Sequence, residues 1–264
     1  MNNLNKSKIL IITDHYLPGY KAGGPIVSIQ GIVDIVKEIA NIIIITKDRD
    51  FGDLNQYPSV NIDKYNAFDG YSIIYSQSII SRLKYMNSIK PDVIYINSLF
   101  SSFSLSLFLY SVFCCKKSLR IIAPRGELGS GALAIKNTKK KIFLFIFCKL
   151  RLSAYTKFHS TSIGEYNDIL NNVGSKSLII SNIPFSIKFK SCSIKKSGEA
   201  RLLYLSRISK KKNLHLAIES LKKITNYRIV YDIYGPIEDL KYWEMCKKII
   251  ALLPSNILVN YCGE

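Results

Sequence analysis

Arg207 and Lys212, five positions apart, stand between the apolar run Leu202-Leu203-Tyr204-Leu205 and a helical pattern that starts at Asn213. Strand, basic turn, helix is an order that sets a guanidinium and an ammonium beside the positive end of a helix. There they can hold a diphosphate and neutralise its charge as it departs. A solvated basic loop has the same composition, so the pair takes its meaning from what lies upstream.

Upstream, three further segments follow apolar runs. Asp14 to Pro25 contains Gly19, Gly23 and Gly24, which let a backbone approach a ligand closely, and Pro25 suits the first turn of the helix that follows. The glycines do not form Gly-x-Gly-x-x-Gly, and Pro25 occupies the place of a phosphate-loop lysine, so dinucleotide and simple NTPase readings lose their support. A plain glycine turn is the alternative. Asp48-Arg49-Asp50 has the form of an acidic pair that holds a divalent metal, yet its basic neighbours favour a solvated, self-paired loop, and no metal is expected. In Ala123-Pro124-Arg125-Gly126-Glu127, Arg125 can clamp an anionic acceptor and Glu127 can orient or deprotonate a hydroxyl; an ordinary turn has the same residues. Ser162 and Glu165 have capping-box spacing. His159 reads as a packed strand-end residue, and His15 stands alone on a loop.

The elements that must position these residues are short runs rich in Ile, Val and Tyr alternating with longer helical patterns. Strands are expected at Ile9–Thr13, Ile42–Thr46, Ile73–Tyr75, Val93–Asn97 and Leu119–Ala123, with helices from Pro25, near Ile80–Ile89 and over Leu99–Cys115. The strands are continuously apolar, as in a parallel sheet covered by helices on both faces, so the fold class is α/β. A second series follows: strands Ser177–Ser181, Leu202–Leu205, Arg228–Ile233 and Asn256–Tyr261, with helices Asn213–Ile224 and Glu238–Leu252. This organisation predicts a first domain over residues 1–181, a linker over 182–199 and a partial second domain over 200–264. The second series reads as stopping early, as in a truncated product.

The 264 residues carry a formal charge of +18, which calls for a negative partner. Nucleic acid is disfavoured, because no helix-turn-helix, zinc-finger, RNP or KH pattern is present. An anionic membrane surface and a phosphorylated substrate remain. Lys136, Lys139, Lys140, Lys141, Lys149, Arg151 and Lys157 flank Ile142–Phe147, a layout that suits either an interfacial helix or a core helix with a basic end. The low-charge run from Leu99 to Cys115 is shorter than a span of about 20 residues and reads as a buried helix. The six cysteines lack a Cys-x-x-Cys pair, and the N-terminus lacks a signal h-region, so a reducing cytoplasm is expected.

Taken in order, Tyr16–Pro25, Thr46–Asp50, Ala123–Glu127 with Lys136, Phe158–Ser162 with Glu165, and Arg207 with Lys212 resemble family 4 retaining glycosyltransferases, of the type that builds bacterial capsular, exopolysaccharide or lipopolysaccharide chains. The resemblance spans essentially the whole chain. It implies a GT-B fold, two Rossmann-like domains facing across a cleft, and metal-independent, retaining transfer from a nucleotide-sugar donor to a lipid-linked or polysaccharide acceptor, with no cofactor. It implies that Gly23 and Gly24 line the donor phosphates and acceptor, that Arg207 and Lys212 hold the diphosphate, and that Gly235, in Tyr234-Gly235-Pro236, belongs to a loop beside the nucleotide. Two departures stand out. Many members carry a histidine in the loop that here reads Pro124–Glu127, and the family's C-terminal glutamate pair would lie beyond Glu264. The expected function is therefore a cytoplasmic, membrane-peripheral glycosyltransferase, the alternative being an inactive truncated remnant acting at most as a binding module. An epimerase would need Gly-x-Gly-x-x-Gly and Tyr-x-x-x-Lys, which are missing from the sequence.

Overall fold

The computed structural model describes residues 6–134, 137–183 and 197–263. The chain divides into two compact units, Met1–Ile187 and Lys188–Glu264. Most of the expected linker, and Lys136, lie outside the described residues.

The first unit is built on one sheet of eight strands: β1 (Lys8–Thr13), β2 (Asn41–Thr46), β3 (Tyr65–Phe68), β4 (Tyr71–Tyr75), β5 (Val93–Asn97), β6 (Leu119–Ala123), β7 (Lys157–Ser160) and β8 (Ser177–Ile179). Their spatial order is β3-β4-β2-β1-β5-β6-β7-β8. Every pairing is parallel except β3 with β4. Chain progress reverses at β1, with β2 on one side and β5 on the other, so the loops leaving β1 and β5 open a crevice at their carboxyl ends. The antiparallel edge is a departure from the all-parallel expectation. Asp69-Gly70 turns the chain tightly, with Gly70 at φ 82°, and the exposed four-residue β3, interrupted by Asn66, lacks the run of Ile and Val that marks the buried strands.

Helices cover both faces. Helix α1 (Gly24–Val36) sets Ile26, Ile29 and Val33 on one face of the sheet, against Ile42, Ile44, Ile73 and Tyr75. The opposite face takes α2 (Ile79–Ile89), α3 (Ser102–Cys114), the short α4 (Ser130–Ala134), α5 (Asn137–Lys149) and α6 (Ile163–Val173). Met86, Phe103, Leu107, Phe108, Leu144, Phe147 and Ile169 fill that core, each large apolar side chain contributing about 1.5–3 kcal/mol by leaving water. Serine caps set the starts of α2 and α3: Ser78 accepts from Ser81 N, and Ser101 from Ser104 N. The apolar run from Leu99 is thereby a buried helix packed on a sheet. Among the described residues, no helix is long and apolar enough to cross a membrane.

In the second unit, β9 (Glu199–Leu205), α7 (Leu214–Leu221), β10 (Arg228–Tyr234), α8 (Leu240–Ile250) and β11 (Ile257–Gly263) form a parallel sheet of order β11-β10-β9. Ile229, Tyr231 and Ile233 alternate along β10 toward Leu214, Ile218, Tyr242 and Trp243 of the two helices. Leu203 and Leu205 of β9 are exposed, so among the described residues this sheet is covered by helices on one face.

Candidate functional site

At the carboxyl ends of β5, β6 and β7, the loop after β6 is pinned from two sides. Arg125 and Gly126 both take left-handed backbone conformations, at φ 55° and 73°. Gly126 N donates to Glu165 Oε1 at 2.7 Å, while Glu127 receives Ser98 Oγ at 2.7 Å, Leu99 N at 2.6 Å and Phe100 N at 3.3 Å. Glu127 therefore organises the turn between β5 and α3. Burial pushes its carboxyl above the usual range, against those hydrogen bonds, which lower it. With both oxygens engaged, it is placed to position a loop and not to take a proton from a hydroxyl.

Arg125 points its guanidinium along the strand ends. Nε donates to Asn97 Oδ1 at 2.8 Å, Nη1 to Asn182 Oδ1 at 2.5 Å, and Nη2 to the Tyr95 hydroxyl at 2.9 Å. All three acceptors are neutral, so the cation is fixed in place while its charge stays uncompensated by any of them. Behind it, Tyr95 meets His159 Nδ1 at 2.7 Å, and His159 Nε2 meets the Ile180 carbonyl at 2.8 Å. His159 is buried, in keeping with its reading as a packed strand-end residue.

Gly23 and Gly24 open α1 after β1. A Cβ at either would meet nothing within 4 Å; Gly23 has φ 64° and Gly24 has no such constraint. Asp48 and Asp50, beside this loop, are buried and not solvated as the sequence suggested. Asp48 accepts from Arg49, Gln56 and Gln77, and Asp50 from the backbone of Tyr20, Lys21 and Phe51. Burial opposes their ionisation, but these donors hold both carboxyls below the ordinary range. Their lone pairs brace the loop. Capping at Ser162 is as the spacing predicts, except that Glu165 reaches back to Thr161 N and also holds Gly126.

In the second unit the turns after β9 and β10 are joined. Ile208 N donates to Pro236 O at 2.9 Å, and Glu238 N and Asp239 N both donate to Ile208 O at 3.2 Å. Gly235 makes this possible. It has φ 134°, and a Cβ there would stand 2.2 Å from Ser206 O. The joined turns carry Arg207 and Lys212 at the carboxyl end of the sheet. Arg207 Nη1 lies 3.0 Å from Glu238 Oε1, in a pair exposed enough to be worth little. Lys212 closes a 3-10 turn, Lys210–Lys212, and Asn213 at φ 53° intervenes before α7, so the lysine precedes the helix instead of opening it.

The arrangement thus brings Arg125 and Glu127 into one loop with opposite orientations, and Arg207, Lys212 and Gly235 into one pair of turns. Tyr95, Asn97, Asn182 and the second contact of Glu165 escaped the sequence reading. Tyr95 sits inside an apolar strand and is indistinguishable there from core; Asn97, a polar residue ending a strand at the reversal point, was the available signal.

No protein-family model matches the chain, and no curated protein matches it. Solved structures do. HepE from Anabaena, crystallised with UDP and glucose, aligns with TM-score 0.60 and 12% identity over 97% of this chain and 69% of its own. The catalytic domain of starch synthase IV from Arabidopsis thaliana, bound to ADP and acarbose, aligns with TM-score 0.57 and 12% identity over 97% of this chain and 74% of its own. The fold is that of the GT-B glycosyltransferases. A glycosyltransferase from Rickettsia africae aligns similarly, with TM-score 0.54 and 14% identity over 98% of this chain and 69% of its own. At such identities the likeness carries the GT-B fold, and the chemistry resides in the residues of the site.

Proposed function

We propose that the chain is a glycosyltransferase of the family 4 type, moving a sugar from a nucleotide-sugar donor to a lipid-linked or polysaccharide acceptor, with retention and without a metal. The observation that carries this reading is the pair of joined turns in the second unit. Gly235 lets two strand ends meet backbone to backbone, and the result is a small platform bearing Arg207 and, after a tight 3-10 turn, Lys212. Cations fixed before charge develops on a leaving diphosphate stabilise the transition state more than the ground state, without a metal ion. The GT-B fold supports the reading, as do the UDP and ADP in two of the similar structures.

In the first unit, Arg125 serves as an anion clamp for the acceptor. Its three neutral hydrogen-bond partners orient it without spending its charge. Glu127 acts through the loop it holds, and Gly23 and Gly24 leave open space for a ligand at the start of α1.

An anionic membrane surface is the second partner. Helix α5 buries Leu144 and Phe147 while exposing Ile142, Phe145 and Ile146, with Lys139, Lys141 and Lys149 beside them. An outer apolar stripe rimmed by lysines is the composition of a helix that lies in a headgroup layer, and it would bring a cytoplasmic enzyme to lipid-linked acceptors.

The reading is tested by incubating the protein with a panel of radiolabelled nucleotide sugars and a membrane extract as acceptor source. Label passing to the extract with release of nucleoside diphosphate is expected; no transfer from any donor across the panel would refute the reading.

A further inference from the structure

The crevice between the first turns of α2 and α3 has no part in the chemistry above. It is a cavity of about 280 Å³ lined by Lys47, Gln77, Ile79, Arg82, Ser102, Phe103 and Ser106. Arg82 is only 7% exposed, and its guanidinium stacks 4.0 Å from the centre of the Phe103 ring. Nε donates to Ser78 O and Nη1 to Phe103 O, each at 3.3 Å. None of the ion pairs among the described residues includes Arg82. Lys47 Nζ stands 5.8 Å from the centre of the same ring and pairs with Asp14 at 2.6 Å. A buried guanidinium without a carboxylate partner is costly unless an anion comes to it.

Two further features point the same way. Both helices aim their N-termini at the crevice, and neither has an acidic residue in its first turn. The local field is therefore that of two cations and two positive helix ends against Asp14, with Asp48 behind Gln77 already paired to Arg49 and Asp63 on the outer side of α2 at Ser81. Ser102 adds a hydroxyl donor, Ser106 keeps its own on Phe103 O at 2.9 Å and offers only its lone pairs, and Gln77 is steadied by its bond to Asp48. The volume falls just under the range of about 300–1,000 Å³ typical of drug-sized ligands, so it accommodates a phosphoryl group and a small part of what bears it. A phosphate dianion, with three terminal oxygens, can use these dispersed donors together.

We infer that this crevice in the first unit is a binding site for a phosphate monoester, separate from the turns assigned to the donor diphosphate. The site stands whether or not the chain is a transferase. The test titrates the full chain with inorganic phosphate, with glycerol 3-phosphate and with UDP, following binding by calorimetry and phosphorus NMR. Phosphate and the monoester should compete with each other, the monoester binding at least as tightly if the group is read as part of a larger ligand, and UDP should displace neither. Arg82→Gln and Lys47→Gln should each weaken phosphate binding at least tenfold, the scale of one lost charged hydrogen bond. Since Arg82→Gln alters a buried residue, Ser102→Asp supplies a second probe: it puts a carboxylate in the crevice at an exposed helix start, where it favours folding, and should abolish phosphate binding. Three results would each overturn the site: no phosphate binding up to about 20 mM, a range that covers millimolar affinities; displacement of phosphate by UDP together with its loss in the Arg207→Ala, Lys212→Ala variant; or unchanged affinity in folded Ser102→Asp.

Discussion

The hydroxyl of Tyr95 stands 2.7 Å from Nδ1 of His159, whose other ring nitrogen, Nε2, lies 2.8 Å from the carbonyl oxygen of Ile180. A carbonyl only accepts, so Nε2 carries the ring proton and Nδ1 accepts from Tyr95. That leaves the Tyr95 oxygen free to receive Arg125 Nη2. One imidazole tautomer thus fixes a chain of donors that ends on the proposed anion clamp.

The chain of donors carries a pH dependence. Burial holds His159 below its ordinary value of about 6.5, while the Ile180 carbonyl and the Arg125 charge act in opposite senses. As pH falls, the unfolded chain takes up the proton first. Stability tied to the neutral ring is therefore complete above about pH 6.5 and declines as pH drops below it. His15 is lowered by burial in the same direction, so His159→Asn should remove part of the slope between pH 7.5 and 5.5 in urea denaturation. Identical slopes for the two proteins would count against this role.

Glu127 separates positioning from proton transfer. Glu127→Ala orphans the Leu99 and Phe100 amides and the Ser98 hydroxyl and should cost at least about 3 kcal/mol, at about 1–3 kcal/mol for each donor left unsatisfied. Glu127→Gln retains an acceptor for the amides and a donor toward Ser98 without burying a charge, so it should stay near the parent in stability and in transfer rate. A stable Glu127→Gln protein with transfer lost would make Glu127 the base after all.

The glycines should part company. Gly235→Ala drives a Cβ into Ser206 O and should unfold the joined turns, at a cost of more than about 3 kcal/mol, with loss of nucleotide binding. Gly23→Ala, at φ 64° and ψ −119°, should cost about 1–3 kcal/mol through backbone strain alone. Gly24→Ala meets open space and should leave stability unchanged, so that any loss of activity reports a ligand coming close to α1. Equal melting temperatures for Gly235→Ala and Gly24→Ala would contradict this account of the turns.

Helix α5 should hold the protein to anionic vesicles in a salt-sensitive way. Each lysine near the surface contributes about 1 kcal/mol, and raising ionic strength from 0.1 to 1 M shortens the Debye length from about 10 to 3 Å. Binding should fall with salt and again in the Phe145→Ser, Ile146→Ser double variant. Equal binding to neutral and anionic vesicles at both salts would dismiss the membrane surface as a partner.

The fold was legible where a strand is apolar on both faces, because Ile11, Ile44 and Ile96 have no polar alternation to confuse the pattern. It was illegible at β3, whose residues are exposed and whose pairing depends on the Asp69-Gly70 turn. Strand ends and turn chemistry pointed to Arg125, Glu127 and Arg207, since loops at carboxyl ends are where this class of sheet works, whereas Gly235 was reached only through the family resemblance. Sequence spacing could not tell which way Glu127 points, because that follows from a contact with Leu99, 28 positions away. Nor could it find the Arg82 crevice, where α2 and α3 meet through tertiary packing.

Calorimetric titration with a nucleoside diphosphate, comparing the parent chain with the Arg207→Ala, Lys212→Ala variant, tests the central claim most directly. Each charged hydrogen bond lost should cost about 1.5–3 kcal/mol, so the double variant should bind at least about tenfold more weakly while its melting temperature stays close to that of the parent, both side chains being exposed. Equal affinity in the two folded proteins would show that the basic turn does not hold the donor and would contradict the account.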